Sequence, residues 1–161
     1  MKRSTDRIHV YHAGALAKPD DVRELVAAKE AGKPYDEALL ARRLRESVAE
    51  QVDKQLALGI DFVNDGEQSK GGFSYYIAPR LGGIEERAVG SGEGVLQMDA
   101  SARDRAEFSE YYASRGGRTY SRRMFFVTEP LRYKGQATIQ AEIDNFKAAL
   151  EGKSYAGAIL P

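Results

Sequence analysis

Residues 58–68, LGIDFVNDGEQ, decide the fold class. Gly59 ends whatever helix precedes it, Ile60–Asn64 reads as a short buried strand, and Asp65-Gly66-Glu67 opens a polar loop. Helix, glycine, apolar strand and acidic loop is the rhythm of an α/β protein whose loops lie at the C-terminal ends of parallel strands. Upstream of Gly59, Leu40, Leu44, Val48, Val52 and Leu56 recur every fourth residue with Leu39, Gln51 and Gln55 at the flanks, which predicts a helix of about six turns starting after Tyr35 and Asp36. Before it, Pro19, Asp20 and Asp21 mark another helix start, because proline suits the first helical position and carboxylates favour the positive end of the helix dipole. That helix carries Val22, Leu25 and Val26 and ends at Gly32. Ile8–Ala13 reads as a first strand that stops at Gly14.

Downstream, residues 73–81 (FSYYIAPRL) suggest a short amphipathic helix limited by Pro79. Gly82–Ala100 has glycines at 82, 83, 90, 92 and 94 and no period, so it reads as a loop or hairpin excursion. Arg103–Ser114 has helical character with Phe108, Tyr111 and Tyr112 on one face. Met124–Thr128 (MFFVT) is a third strand candidate, ending at Glu129-Pro130. Ile139, Ile143, Phe146 and Leu150 predict an amphipathic helix over Ala137–Leu150 that Gly152 stops. Tyr155–Leu160 is a fourth strand candidate. Strands thus begin near residues 8, 60, 124 and 155 with helices between them. The last strand has no covering helix after it, so residues 1–161 are expected to be a single incomplete domain with residues 83–118 as an inserted excursion.

Twenty-four basic side chains against 24 acidic ones leave zero formal charge, which gives no general drive toward nucleic acid or an anionic membrane. The absence of cysteine rules out disulfides, thiolate nucleophiles and thiolate metal ligands within these residues. No apolar run approaches the roughly 18 residues of a membrane helix, and the polar start Met1–Arg7 does not resemble a secretion signal, so a cytoplasmic protein is expected. Arg115, Arg118, Arg122 and Arg123, interleaved with tyrosines, read as a solvated loop. Phosphate-loop, His-Glu-x-x-His and Gly-x-Ser-x-Gly motifs are absent.

Three strand ends carry candidate chemistry. His12 precedes Gly14, where a backbone without a side chain lets a ligand approach. Asp65 and Glu67 flank Gly66 and suit an ammonium group or acid–base work, although Asp-Gly is also an ordinary turn in which Asp65 bonds its own backbone. Glu129 follows Thr128 and precedes Pro130. If the strands are parallel neighbours, the three converge on one face.

These same residues resemble a known family. His12-Ala13-Gly14-Ala15-Leu16-Ala17-Lys18-Pro19 is similar to the first-strand motif His-Val-Gly-Ser-Leu-Pro-Arg-Pro of proteins related to cobalamin-independent methionine synthase. Residues 58–81 resemble that family's second-strand segment with its Asp-Gly-Glu, and Val127-Thr128-Glu129-Pro130 resembles a later Thr-Gly-Pro turn. The resemblance implies a TIM-type (β/α)8 barrel, of which this chain would hold about the first three to four βα units. It implies a zinc-dependent transfer of a methyl group from 5-methyltetrahydrofolate to a thiol such as homocysteine. Gly14, Ala15 and Glu67 would contact the amino-acid substrate, with Asp65 supporting the loop and His12 and Glu129 beside it. The family's zinc ligands, His, Cys, Glu and Cys, lie on later strands than these, so no metal ligand is expected here and the chain alone should be inactive. Ala15 stands where the family has serine, and Glu129 where it has glycine. A different thiol acceptor, or a non-catalytic half-barrel that binds small molecules, are the alternatives; a decarboxylase of the uroporphyrinogen type is not favoured by the Asp65-Gly66-Glu67 block. Open barrel edges at the first and last strands would favour self-association.

Overall fold

The computed structural model describes residues 4–72, 76–88, 102–114 and 123–161. They form a mixed α/β structure divided into two units, residues 1–80 with 133–161 and residues 81–132.

In the first unit, α1 (Asp20–Glu30) begins directly after Pro19, with Asp20 and Asp21 in its first turn. Helix α2 (Glu37–Ala57) is capped by Asp36, whose carboxylate accepts the Leu39 N–H at 2.8 Å. Such a cap contributes about 1 kcal/mol by satisfying one otherwise unpaired amide. Strand β1 (Phe62–Val63) follows Gly59, and β4 (Gly157–Ala158) pairs parallel to it with Phe62 opposite Gly157. Tyr11 makes a parallel bridge to Phe62 from the other side. The expected first, second and fourth strands are therefore parallel neighbours in chain order, shorter in regular pairing than their apolar runs.

The first strand is held on by side chains as much as by ladder bonds. Asp61 accepts the Val10 N–H at 2.7 Å and two bonds from the Arg7 guanidinium, while the Val10 carbonyl accepts from the Asp61 and Phe62 amides. Helix α5 (Gln136–Leu150) precedes β4 and packs on α2. Val48 and Val52 of α2, Val63 of β1, and Phe146 and Ala149 of α5 make the main core. Val22, Val26 and Leu40 make a second cluster between α1 and α2.

The second unit departs from the sequence expectation. Leu81–Ala88 is strand β2, and it pairs with β3 (Arg123–Tyr133) rather than leaving β3 in the parallel sheet. Gly82 lies against Arg132 and Gly83 against Glu129 and Pro130, so the pair runs antiparallel. Strand β3 does not stop at Thr128. It continues through Glu129 and Pro130, which a two-stranded sheet allows because both strands are edges and proline needs no ladder donor there. The expected helix over 103–114 is split into α3 (Ala102–Glu107) and α4 (Ser109–Ser114), with Phe108 at the break and exposed. Part of the helix expected at 73–81 and the Arg115, Arg118 and Arg122 cluster lie outside the described residues; residues 78–80 form a single 3-10 turn. Among the described residues no helix is long and apolar enough to cross a membrane.

Candidate functional site

The loop after β1 is built from two consecutive side-chain turns. Asn64 Oδ1 accepts the Gly66 N–H at 2.8 Å, and Asp65 Oδ1 accepts the Glu67 N–H at 3.0 Å. Each is the Asx geometry in which a short polar side chain replaces a backbone turn. The chain reverses through Gly66 at φ 67° and Glu67 at φ 53°. Glu67 is the one non-glycine residue with positive φ among the described residues. A side chain there is strained by roughly 1–2 kcal/mol, a cost that persists only where surrounding bonds fix the conformation.

Those bonds come from α2. Ser47, Gln51 and Gln55 follow one another at four-residue intervals and are all buried. Gln55 donates to the Asn64 carbonyl at 2.8 Å and accepts the Asn64 N–H at 3.0 Å, serving β1 as a neighbouring strand would. Ser47 donates to Gln68 at 2.5 Å, and Gln68 donates to the Gly66 and Leu16 carbonyls. Gln51 donates to the Ala17 carbonyl at 3.2 Å. The Leu16 N–H reaches the Gly66 carbonyl at 3.1 Å. The segment after the first strand and the loop after β1 are thus clamped together by one face of α2.

His12, Gly14 and Ala15 lie on the first of these segments. The Asn64 side chain donates to the His12 carbonyl at 2.8 Å, and His12 Nε2 is buried without a hydrogen-bond partner among the described residues. Gly14 has φ 91° and open space where a Cβ would stand. Asp65 is only 2% exposed. Burial pushes its carboxyl above the ordinary carboxylate range, against the opposing pull of the Glu67 amide and the Lys70 charge. Glu67 is half-buried, and its carboxylate has no hydrogen-bond or ion-pair partner among the described residues.

Glu129 belongs to the second unit. It lies within β3 of the second unit, exposed and bonded to Arg132 at 3.2 Å. Within the first unit His12 and the Asp65-Glu67 pair come together as expected of neighbouring parallel strand ends, whereas β3, which carries Glu129, pairs with β2 instead of joining that sheet.

The structure adds residues that the motifs did not indicate. Glu142 of α5 is buried and accepts from Arg80 and from Ser69, each at 2.5 Å, while its Oε2 has no hydrogen-bond partner among the described residues. Lys70 is 4% exposed and donates to the Pro161 carbonyl at the end of the β4 segment. The Tyr76 ring meets two cations, 4.8 Å from Lys70 Nζ and 5.0 Å from the Arg80 guanidinium carbon. Lys18 is half-buried; burial pulls its ammonium pKa below the ordinary value, against the charges of Glu67, Glu30 and Asp65. The signal for Glu142 was its register: it falls four and seven residues before Phe146 and Ala149, on the buried stripe of α5.

Comparison of the chain with family models, with curated proteins and with solved structures finds no match.

Proposed function

We propose that the His12–Lys18 segment and the Asp65–Lys70 loop form the amino-acid pocket of a methionine-synthase-like barrel, which transfers a methyl group from a folate to a thiol such as homocysteine. The observation that carries this reading is the Glu67 carboxylate, held at φ 53° by the Asp65 bond and left without a partner among the described residues. Strain of that kind gathers at ligand sites, and an unpaired half-buried carboxylate suits a ligand ammonium group. The parallel order of the first strand, β1 and β4, with α2 and α5 preceding the latter two, supports the opening units of a (β/α)8 barrel. Loops at the C-terminal ends of such strands are where barrels bind their ligands.

In this reading Glu67 accepts the substrate ammonium, Asp65 fixes the Glu67 backbone, and the open backbone at Gly14 and Ala15 borders the substrate. The residues present do not fit the family's zinc. The chain has no cysteine and two histidines, and among the described residues no group of three or more acidic or histidine side chains could hold a metal. The proposal therefore assigns these residues binding and orientation only. Ala15, lacking the hydroxyl of the family's serine, favours a second reading in which the acceptor is a thiol other than homocysteine.

Titration calorimetry of the full chain with L-homocysteine and L-methionine tests the proposal. Saturable binding that weakens at least about tenfold in Glu67→Gln is expected, a loss typical of a charge-assisted bond. Absence of binding, or equal binding by the variant, overturns it.

A further inference from the structure

Lys18 and Glu67 carry opposite charges, lie on the two segments that α2 clamps together, and do not bond. The clamp is direct: Leu16 N to the Gly66 carbonyl at 3.1 Å, Gln68 to the Leu16 carbonyl at 3.3 Å, and Gln51 to the Ala17 carbonyl at 3.2 Å. These bonds bracket Lys18 from its N-terminal side, and Pro19 with the start of α1 fixes it from the other. Glu67 is the first of the carboxylates acting on the Lys18 ammonium, ahead of Glu30 and Asp65. Yet no Lys18–Glu67 ion pair forms within 4.0 Å, and neither side chain has a hydrogen-bond partner among the described residues.

Half-buried opposite charges ordinarily close on each other, since attraction between them grows as water is excluded. Here they stay unpaired. Glu67 is turned by its positive φ, and Lys18 is held by the proline that follows it. Open space borders Gly14 on the same segment as Lys18. Among the described residues, Lys18 and Glu67 are thus one cation and one anion on adjoining segments, each without a bonded partner. A zwitterion completes both at once, its ammonium toward Glu67 and its carboxylate toward Lys18.

We infer that Lys18 binds the carboxylate of an α-amino acid and, with Glu67, makes the pocket selective for zwitterions over amines and acids of the same side chain. This inference rests on the amino-acid-pocket reading and adds to it a second charged contact and a rule of selectivity. Neutral isosteres of either charge lose one contact and leave the other charge facing an unsatisfied ligand end.

The test is a grid of affinities measured by calorimetry on the full chain. The ligands are L-methionine, its decarboxylated amine 3-(methylthio)propylamine, and its deaminated acid 4-(methylthio)butyrate. The proteins are the parent chain, Lys18→Met, Lys18→Arg and Glu67→Gln, each checked for a parent-like circular dichroism spectrum and melting transition. The parent should prefer methionine to the amine by at least about tenfold. Lys18→Met should erase that preference by weakening methionine binding while leaving amine binding unchanged, and Lys18→Arg should restore it. A parent that binds no methionine overturns both the pocket reading and the inference. A parent that binds methionine through Glu67, with a preference over the amine that survives Lys18→Met, overturns the inference alone. If Lys18→Met does not fold, Lys18→Arg and a Lys18→Gln variant decide the same comparison by whether the preference follows the positive charge.

Discussion

The Arg80 guanidinium donates to the Glu142 carboxylate at 2.5 Å, and both side chains are more than nine-tenths buried. Their pairing ties the 3-10 turn at residues 78–80 to α5, and Ser69 adds a second bond to the same carboxylate oxygen. Removing one partner leaves a buried charge uncompensated, whereas removing both does not. Arg80→Met is therefore expected to destabilise the chain by about 3–5 kcal/mol, and the Arg80→Met/Glu142→Met double variant by much less. Urea unfolding of the two singles and the double checks this. Equal loss in the double and the single would show that side-chain packing, not charge, sets the cost.

Asp61 pins the first strand to β1, and its ionisation should appear in acid stability. The Arg7 guanidinium and the Val10 amide beside Asp61 hold its carboxyl below the ordinary value of 3.8. A carboxyl with a lowered folded-state pKa contributes stability that is fully present above its ordinary value and lost as pH falls through the folded one. Burial pushes Asp65 the other way, so the native state holds its proton more tightly than the unfolded chain and stability falls as pH rises from 3.8 through the raised value. Asp61→Asn should reduce the loss of stability toward low pH, and Asp65→Asn should remove a downward slope at higher pH. Melting temperatures across pH 2.5–7, roughly the range over which carboxyl groups titrate, separate the two, and parallel profiles for both variants would contradict the assignment.

Much of the first unit was legible because its signals are periodic or stereochemical. The four-residue repeat from Leu40 to Leu56, the Pro19 and Asp36 starts, and Gly59 correspond to α1, α2 and their ends. The third strand was misplaced for a physical reason: MFFVT is apolar enough for a buried strand, but in β3 Val127 is 67% exposed and Leu131 54%. Composition does not report which strand a segment will pair with, and Pro130 looked like an end because its tolerance on an edge depends on the partner. The turn geometry of the candidate site was legible where it is a local motif, at Gly14 and Asp65-Gly66-Glu67. Its supports were not, because Ser47, Gln51, Gln55 and Glu142 are polar residues on buried helix stripes. Hydropathy scores such residues as surface, while their burial is earned by hydrogen bonds to loops far away in sequence.

Gly157 sets how closely β4 approaches β1. A Cβ at this position would stand 2.5 Å from Phe62 Cε1 and 2.6 Å from Cδ1, so alanine cannot enter without moving an aromatic ring that also meets the His9 ring edge-on at 5.4 Å. Gly157→Ala should cost about 1–3 kcal/mol, the usual range for overpacking a core contact. Combining it with Phe62→Leu should recover part of that loss. Chemical denaturation of the single and double variants measures it, and a neutral Gly157→Ala would mean that the ring is free to move aside.

Glu67 offers the sharpest separation of stability from binding. Its φ of 53° favours glycine, and its carboxylate contributes no bond to the described protein. Glu67→Gly keeps the Glu67 position's backbone N–H, and with it the bond to Asp65 that shapes the turn. Relief of the backbone strain should outweigh the added freedom of glycine in the unfolded chain, giving a net gain of up to about 1 kcal/mol. The same change removes the ammonium partner, so affinity for L-methionine should fall at least about tenfold. A residue retained only to shape the turn would show the opposite pattern, with stability lost and binding unchanged. Melting temperature and calorimetric affinity measured on the same preparation decide between them: a variant that is both less stable and still able to bind removes the functional explanation of the strain.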